Sequence, residues 1–352
     1  MRVLALVLFF VVGASPLRGQ GGELTSLCTA GPPSGAMADP AIFGTTCLAI
    51  AQTLATLPPQ IGILAAAGNP VLGSHSTGGL RLGRYVRTDA TLRLGFVPLR
   101  TPGVIGTGAE AAAPTGTVSV PAPAVSGDLA LGLYPGVNLS PRVAGLGSMD
   151  LLGSVTWLPL QTFGTRGFAR AGSPLALGVG ARVGLLREGF TTPGISASLM
   201  HHRIGQVAFG EVCPGEPRAG TGCSRPGDAG ELEFDLRSWS GRAVIGRRFV
   251  GVGLAAGAGY DRFTGDGEYA VRVPASPAGG ADPVFGASDL ELRDSRWSLF
   301  TNLSYTLLLV TVAAEAGWMQ GGAAVPGYQE SGGEFRPRRG TLFGSVGGRL
   351  AF

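Results

Sequence analysis

The sequence contains no lysine and few charged residues of any kind. All 27 basic residues are arginine, and the chain has 23 acidic residues. Charged residues make up only 14% of the 352-residue chain. No basic patch or stripe stands out, so we expect no nucleic-acid partner. Disorder is also excluded by composition, because 45% of the residues are hydrophobic.

Long apolar runs are missing as well. After the N-terminal segment the longest run is Leu307–Ala314, whereas a membrane-spanning helix needs about 20 apolar residues. Glycine (60 residues) and proline (25) are abundant and would break the interiors of ordinary helices. Mean hydropathy is nevertheless +0.28. The apolar residues must therefore be distributed along the chain in short, repeated patterns and not in long continuous runs.

The N-terminus has the organisation of an export signal. Arg2 precedes the ten-residue apolar run Val3–Val12, and small residues follow it. This pattern predicts a signal peptide over residues 1–20. The alternative, an N-terminal membrane anchor, is disfavoured because the run is too short to span a bilayer.

Four cysteines fall into two near pairs, Cys28 with Cys47 and Cys213 with Cys223. An even number of cysteines in an exported protein predicts disulfides. Zinc binding would require closely spaced Cys/His sets, and the sequence has none. We expect no metal and no cofactor.

The remaining chain alternates apolar and polar residues at every second position. Examples are Thr91–Val97, Glu231–Trp239, Arg296–Tyr305 and Leu309–Trp318, while glycine and alanine occupy alternate positions in Val250–Phe263. Alternation places the two sets on opposite faces of a strand. Together with long and short connections in turn, it predicts an all-β fold: a closed antiparallel transmembrane β-barrel of about twelve strands (10–14) over residues 60–352.

The face opposite the apolar stripe predicts the lining of the lumen. In Glu231–Trp239 we assign Leu232, Phe234 and Leu236 to the lipid, which leaves the charged residues facing inward. The lumen candidates from all strands are Arg81, Arg93, Arg182, Glu231, Glu233, Asp235, Arg237, Arg296, Glu315 and Arg349.

The C-terminal strand ends in Phe352, with Leu350 and Val346 on the same face. In this the chain resembles bacterial outer-membrane β-barrel proteins, which typically end in an aromatic residue. The resemblance implies location in the cell outer membrane, contact with its lipid, and recognition of this end by the barrel-insertion machinery. The usual second aromatic, two residues before the end, is replaced here by Leu350.

Residues 21–59 do not alternate. Ala41–Leu57 predicts a helix that Pro58-Pro59 would end. The helix and Asp39-Pro40-Ala41 distantly resemble the N-terminal hatch of outer-membrane transporters for fatty acids and other hydrophobic compounds, which usually have fourteen strands. The resemblance implies a plug inside the barrel. A periplasmic helix packed beneath the barrel is the alternative.

Three functions are compatible with this pattern. The first is a channel or transporter for passive uptake or export of small solutes, hydrophobic ones among them, with the solute unidentified. The second is a non-conducting barrel whose long outer loops bind a surface or partner. The third is a barrel hydrolase using His201-His202, which we disfavour because adjacent strand residues point to opposite faces. We therefore expect no catalytic residues.

Overall fold

A computed structural model describes residues 25, 28, 40–66, 68–78, 80–81, 85–103, 116–140, 144–160, 174–189, 192–209, 230–272, 284–329 and 332–352. It contains one long helix, α1 (Pro40–Ala66). The strands are β1 (Leu80–Arg81), β2 (Tyr85–Pro102), β3 (Thr117–Tyr134), β4 (Ser148–Trp157), β5 (Leu175–Leu186), β6 (Gly194–Phe209), β7 (Gly230–Phe249), β8 (Val252–Arg272), β9 (Val284–Leu307), β10 (Val310–Met319) and β11 (Thr341–Ala351). The predicted signal peptide and the Cys213/Cys223 pair lie outside the described residues.

Ten antiparallel strands, β2 to β11, close into a barrel. Each strand pairs with its neighbours in sequence, and β2 closes the ring by pairing with both β3 and β11. Ten lies within the predicted range of 10–14 but is two fewer than the central value of about twelve. Gln60–Ala67, predicted as a strand, belongs almost entirely to α1, and Gly78–Gly83 contributes only the two-residue β1, which pairs with β2 outside the ring.

Helix α1 continues through Pro58-Pro59, so the predicted end at this pair is wrong. Pro59 has no N–H to donate to the carbonyl of Ala55, four residues earlier, which normally ends a helix. Here Arg296 of β9 donates to Ala55 O from 3.4 Å. The barrel wall thus supplies a partner for a carbonyl that the proline cannot satisfy.

The described part of the chain includes one helix, Phe43–Ala66, that is long and apolar enough to cross a membrane. The sequence predicted the first part of this helix, Ala41–Leu57, but not its continuation to Ala66. Of the most apolar stretch of this helix, 94% is buried inside the protein. Its apolar composition is therefore explained by packing within the barrel.

The outer face of the barrel is apolar between two rows of aromatic residues. The four outward tryptophans, Trp157, Trp239, Trp297 and Trp318, lie towards one end, and Tyr134, Phe249, Tyr305 and Phe352 lie towards the other. On β7, Trp239 and Phe249 are ten residues apart, or about 25 Å along the axis at about 3.3 Å per residue and a tilt of about 40°. This matches the height of the apolar band in transmembrane barrels.

The two ends of the barrel differ. The strand ends joined by connections 135–147, 187–193, 250–251 and 308–309 lie at one end, called here the turn end. The strand ends joined by connections 103–116, 158–174, 210–229, 273–283 and 320–340 lie at the other, the loop end. Short turns are periplasmic and long loops extracellular in outer-membrane barrels. The connection 135–147, unusually long for the turn end, is folded by a Val137–Leu146 bridge.

The inner and outer faces follow the predicted alternation in most strands but not in the first part of β7. Leu92, Val179, Leu299 and Val312 are exposed on the outside as predicted. In β7 the reverse holds, because Leu232, Phe234 and Leu236 are buried inside. Glu231, Glu233, Asp235 and Arg237 are consequently on the outer face, and their assignment to the lumen is wrong.

The physical reason for this reversal is the position of these residues along the barrel axis. They precede Trp239, so they lie beyond the aromatic row, where the outside of the barrel meets water and not lipid. Charged side chains therefore face outward there, and the apolar ones pack inward as in a soluble sheet. β9 shows the same arrangement, with Leu290 and Leu292 buried and Glu291 and Arg293 exposed.

Candidate functional site

The interior of the barrel is occupied by the chain that precedes the strands. At the loop end, Phe43 packs edge-on against Phe285 with ring centroids 5.0 Å apart. Further in, Arg242 of β7 donates to the carbonyl of Ala66, the last residue of α1. Residues 68–78, called here the lumen segment, continue to the turn end. The chain thus enters the barrel at the loop end and leaves it at the turn end.

The part of α1 nearest the loop end packs in an apolar cup. Phe234, Leu236 and Phe263 of the wall belong to the same buried cluster as Ile50, Leu54 and Ile61 of the helix. The β10–β11 connection adds Val325, Tyr328 and Phe335 to this cluster, and the backbone N–H of Val325 donates to Gln52 Oε1 at 2.8 Å. This connection therefore covers the helix at the loop end.

The Cys28–Cys47 disulfide joins the segment before α1 to the helix, as predicted for this pair. Cys47 is buried in the same apolar cluster, and its Sγ lies 3.8 Å from the hydroxyl of Tyr269 on β8. The disulfide therefore holds the preceding chain close to the loop end of the barrel.

The lumen segment is held by charged side chains of the wall, which we call the clamp. Its backbone is irregular and buried, so each N–H and C=O needs a partner other than a helix or strand neighbour. Six wall residues form the clamp. Five of them bind backbone groups of the segment, namely Arg93, Asp150, Arg242, Glu315 and Arg349. The sixth, Arg182, binds the side chain of Ser74.

The first contacts of the clamp are centred on Asn69. Its N–H donates to Glu315 Oε2 at 2.8 Å, and its carbonyl accepts from Arg93 Nη2 at 2.7 Å. Arg242 Nε donates to the carbonyl of Gly68 at 3.2 Å. The carbonyl of Gly68 and the N–H of Asn69 belong to one peptide unit, and they are bound by wall side chains of opposite charge, Arg242 and Glu315. These two contacts fix the orientation of the peptide in the lumen.

The later contacts reach the turn end. Arg349 Nη1 donates to the carbonyl of Leu72 at 3.3 Å, and Arg182 Nη1 donates to Ser74 Oγ at 3.2 Å. The N–H of Gly78 donates to Asp150 Oδ2 at 3.0 Å. The wall therefore contacts the lumen segment along its whole length.

The clamp is strengthened by ion pairs within the wall. Arg182 Nη2 lies 2.6 Å from Asp150 Oδ2, and Arg242 Nη2 lies 2.7 Å from Asp261 Oδ1. These four side chains are at most 5% exposed. A buried charge needs such a partner, because removal from water is costly.

Gly68 allows the clamp to approach the backbone. Its φ of +71° is in the left-handed region, and a Cβ added there would lie 1.5 Å from Glu315 Oε1. Any side chain at this position would displace the carboxylate that binds Asn69. Glycine is thus required for both the backbone conformation and the contact.

Five predicted lumen residues, Arg93, Arg182, Arg296, Glu315 and Arg349, are buried on the inner face. The side chain of Arg81 lies outside the described residues. Arg242, Asp150 and Asp261 were missed. Placing Trp239 on the lipid face of β7 would have revealed Arg242, since positions 238, 240 and 242 then face inward together.

The histidines lie in three different environments. His202 is buried inside and His201 points outward, where its ring is 4.7 Å from that of Trp239. A Ser-His nucleophile needs a hydroxyl bonded to the imidazole, and in the described part of the chain neither histidine makes such a bond. Nor do the described residues contain three clustered His, Cys, Asp or Glu side chains able to hold a metal.

His75, at the turn end of the lumen segment, lies 2.9 Å from Glu188 Oε2. Burial lowers the pKa of His75, while the hydrogen bond and charge of Glu188 raise it; burial has the larger effect. The imidazole is therefore largely neutral at neutral pH, so its contact with the Glu188 carboxylate is not a full ion pair there.

Gly62 offers a test of how closely α1 fits the wall. A Cβ at this position would lie 2.3 Å from the ring of Phe263, so we expect Gly62→Ala to loosen the helix and lower the unfolding free energy. Gly44, also in α1, has nothing within 4 Å of an added Cβ. Gly44→Ala should stabilise, by up to about 1 kcal/mol from helix propensity. Denaturant unfolding in detergent measures both; equal effects would contradict the close fit.

The fold identifies the class of this protein. A closed antiparallel barrel with an apolar outer band, two aromatic rows and charged groups inside the band is the architecture of outer-membrane proteins. The chain is an outer-membrane β-barrel. Phe352 lies on the outer surface at its last strand and exchanges backbone hydrogen bonds with Thr88 of β2.

Comparison with known proteins gives likeness at the level of fold alone. The outer membrane protease OmpT from Escherichia coli is 13% identical over 76% of this chain and 96% of its own, with a TM-score of 0.35. The translocator domain of autotransporter NalP from Neisseria meningitidis is 9% identical over 76% and 88% (TM-score 0.37). The TodX monoaromatic hydrocarbon channel is 10% identical over 91% and 97% (TM-score 0.32). No family model and no curated protein matches the sequence.

Proposed function

We propose that this outer-membrane barrel is a plugged channel for the passive movement of small solutes, in which α1 and the lumen segment close the lumen. The observation that carries the proposal is the clamp. Charged wall residues bind a non-regular chain segment across the lumen, and a segment held through side-chain contacts can be released without breaking the barrel's own strand pairing.

The distribution of free space supports a passage that is interrupted inside the barrel. A cavity of about 560 Å³ opens at the turn end beside Ser74 and Arg349, and another of about 200 Å³ lies at the loop end beside Gln60 and Arg296. A separate small cavity of about 20 Å³ lies beside Gly68, next to Arg93 and Arg242. In the proposed function, displacement of α1 and the lumen segment together would connect the two ends of the lumen.

The wall inside the apolar band suits a hydrated path. Buried hydroxyls such as Ser298 Oγ and Ser345 Oγ have no protein hydrogen-bond partner in the described residues. Buried polar groups of this kind ordinarily bond to water. Small polar residues and glycines also leave space that large side chains would fill. These features support passage of small solutes once the plug is displaced.

A disulfide between the lumen segment and the wall tests the proposal. A Cβ added at Gly194 of β6 would lie 3.3 Å from Cβ of Ser76, close to the spacing of about 3.8 Å in disulfides. The Ser76→Cys/Gly194→Cys variant should show fewer openings in planar bilayers when oxidised, and reduction should restore them.

Each single-cysteine variant is the matched control, and the wild type with and without reductant controls for Cys28–Cys47. Openings that are unaffected by formation of the cross-link would show that the lumen segment does not gate the passage.

The non-conducting barrel is the second candidate, and one observation favours it. The β10–β11 connection packs onto α1 and hydrogen-bonds Gln52, so the plug is also tied to an outer loop. A barrel sealed in this way would serve as a support for its loops. Absence of conductance in wild type, in the reduced double-cysteine variant and after removal of the plug would decide for this function.

A further inference from the structure

The turn-end cavity is lined by arginines from four separate places in the fold. Arg87 comes from β2, Arg187 from the β5–β6 turn, Arg248 from the end of β7 and Arg349 from β11. The cavity has a volume of about 560 Å³ and opens towards solvent at the periplasmic side. Four arginines from separate elements therefore line one space, and one of them, Arg187, also donates to Pro135 O at 2.8 Å.

Two acidic side chains, Glu188 and Asp89, also line this cavity, and each has a partner there. Glu188 contacts His75 and accepts a hydrogen bond from the backbone N–H of Arg248. Asp89 Oδ1 lies 3.7 Å from Arg87 Nε. Even if the terminal carboxylate of Phe352 is counted, the arginines outnumber the negative groups by four to three. The cavity thus keeps a positive excess.

Arg349 is the buried member of the set. It is 4% exposed, and its Nη1 and Nη2 make only long contacts, to Leu72 O at 3.3 Å and Thr311 Oγ1 at 3.4 Å. Its Nε has no hydrogen-bond partner in the described residues. A buried guanidinium N–H at a cavity wall is costly without an acceptor, and oxyanions are the acceptors that arginine binds best.

We propose that this turn-end cavity is a binding site for a small oxyanion, a phosphate or a compound bearing phosphate groups. Arg349 would bind it at the inner wall, and Arg187 and Arg248 would contribute from the rim, which also includes Leu308 and Leu309. Binding at this site does not require conduction, so the proposal stands or falls separately from the channel function.

The test is calorimetric titration of inorganic pyrophosphate into the full chain in non-ionic detergent at low salt. Wild type should bind, and binding should weaken as salt is raised, because the interaction is largely electrostatic. The Arg187→Gln/Arg248→Gln variant should bind at least about tenfold more weakly, since it loses charge-assisted hydrogen bonds to the anion. These two arginines are outside the clamp, so the barrel should fold normally.

The matched control is Arg203→Gln/Arg293→Gln, which removes two exposed arginines remote from the cavity. Its affinity should stay within about twofold of wild type, because screening weakens distant charges. No binding by wild type, or an equal loss in both double variants with folding intact by heat-modifiable migration, would overturn the proposal.

A second arm of the titration identifies the source of the phosphate. Phosphatidylglycerol added to the micelles should compete with pyrophosphate if the site takes lipid headgroups, which could reach it past the exposed Leu308 and Leu309. Unchanged pyrophosphate affinity would assign the site to soluble anions. The shared phosphate chemistry is supported by either result.

Discussion

Removal of residues 40–78 is expected to convert a barrel with rare openings into one with stable, discrete single-channel conductance. These residues include α1 and the lumen segment, which fill the interior from the apolar cup at the loop end to Asp150 near the turn end. Ten strands enclose more space than eight strands do, and the interior of an eight-stranded barrel is nearly filled by its own side chains. The measurement is planar-bilayer recording of wild type and deletion variant under identical conditions.

The deletion also removes partners from buried wall residues, so folding must be checked by heat-modifiable migration. If the deletion variant does not fold, the disulfide between Ser76→Cys and Gly194→Cys gives the same information in the intact chain. A folded deletion variant that conducts no more than wild type would falsify the plug and favour the non-conducting barrel.

Asp150→Ala is expected to cause the largest loss of stability among single substitutions. It leaves Arg182, which is 1% exposed, without its ion-pair partner, and it removes the acceptor of the Gly78 N–H. Removal of one partner from a buried ion pair typically costs about 3–5 kcal/mol. The unfolding free energy in denaturant, with the protein in detergent or lipid vesicles, measures this effect.

Glu291→Ala is the matched control because it also removes an acidic partner of an arginine. Glu291 and Arg293 are both exposed beyond the apolar band, and exposed pairs contribute little because water and salt screen them. We therefore expect a change below about 1 kcal/mol. Similar losses in the two variants would mean that burial does not govern the strength of the clamp.

The sequence alone was sufficient for the barrel architecture. Residues such as Leu92, Leu299 and Val312 alternate with small or polar neighbours. In a strand with one face in lipid, the apolar residues must face outward and their neighbours inward. The same alternation correctly placed Arg182 and Glu315 inside. It also placed the glycines of Val250–Phe263 on the inner face, where Gly257 and Gly259 lie against side chains of the wall.

Alternation could not determine which face of β7 is inside near its start. Leu232, Phe234 and Leu236 alternate as regularly as residues that face lipid. They lie between the tryptophan row and the loop end, however, and pack against α1. The height of a residue relative to the membrane depends on how strands are staggered in the closed sheet. That stagger is a tertiary property, and so is the strand count, which local pattern overestimated at Gln60–Ala67.

Sequence thus determined the class of this protein, because a period of two residues and an apolar outer face are local consequences of lipid as a solvent. The tertiary structure decided what fills the barrel. Pro58-Pro59 end an isolated helix, yet Arg296 of the wall supports α1 across them. The clamp likewise depends on wall charges meeting backbone groups of a segment distant in sequence, as when Glu315 binds Asn69. Such pairings exist only after the sheet has closed around the chain.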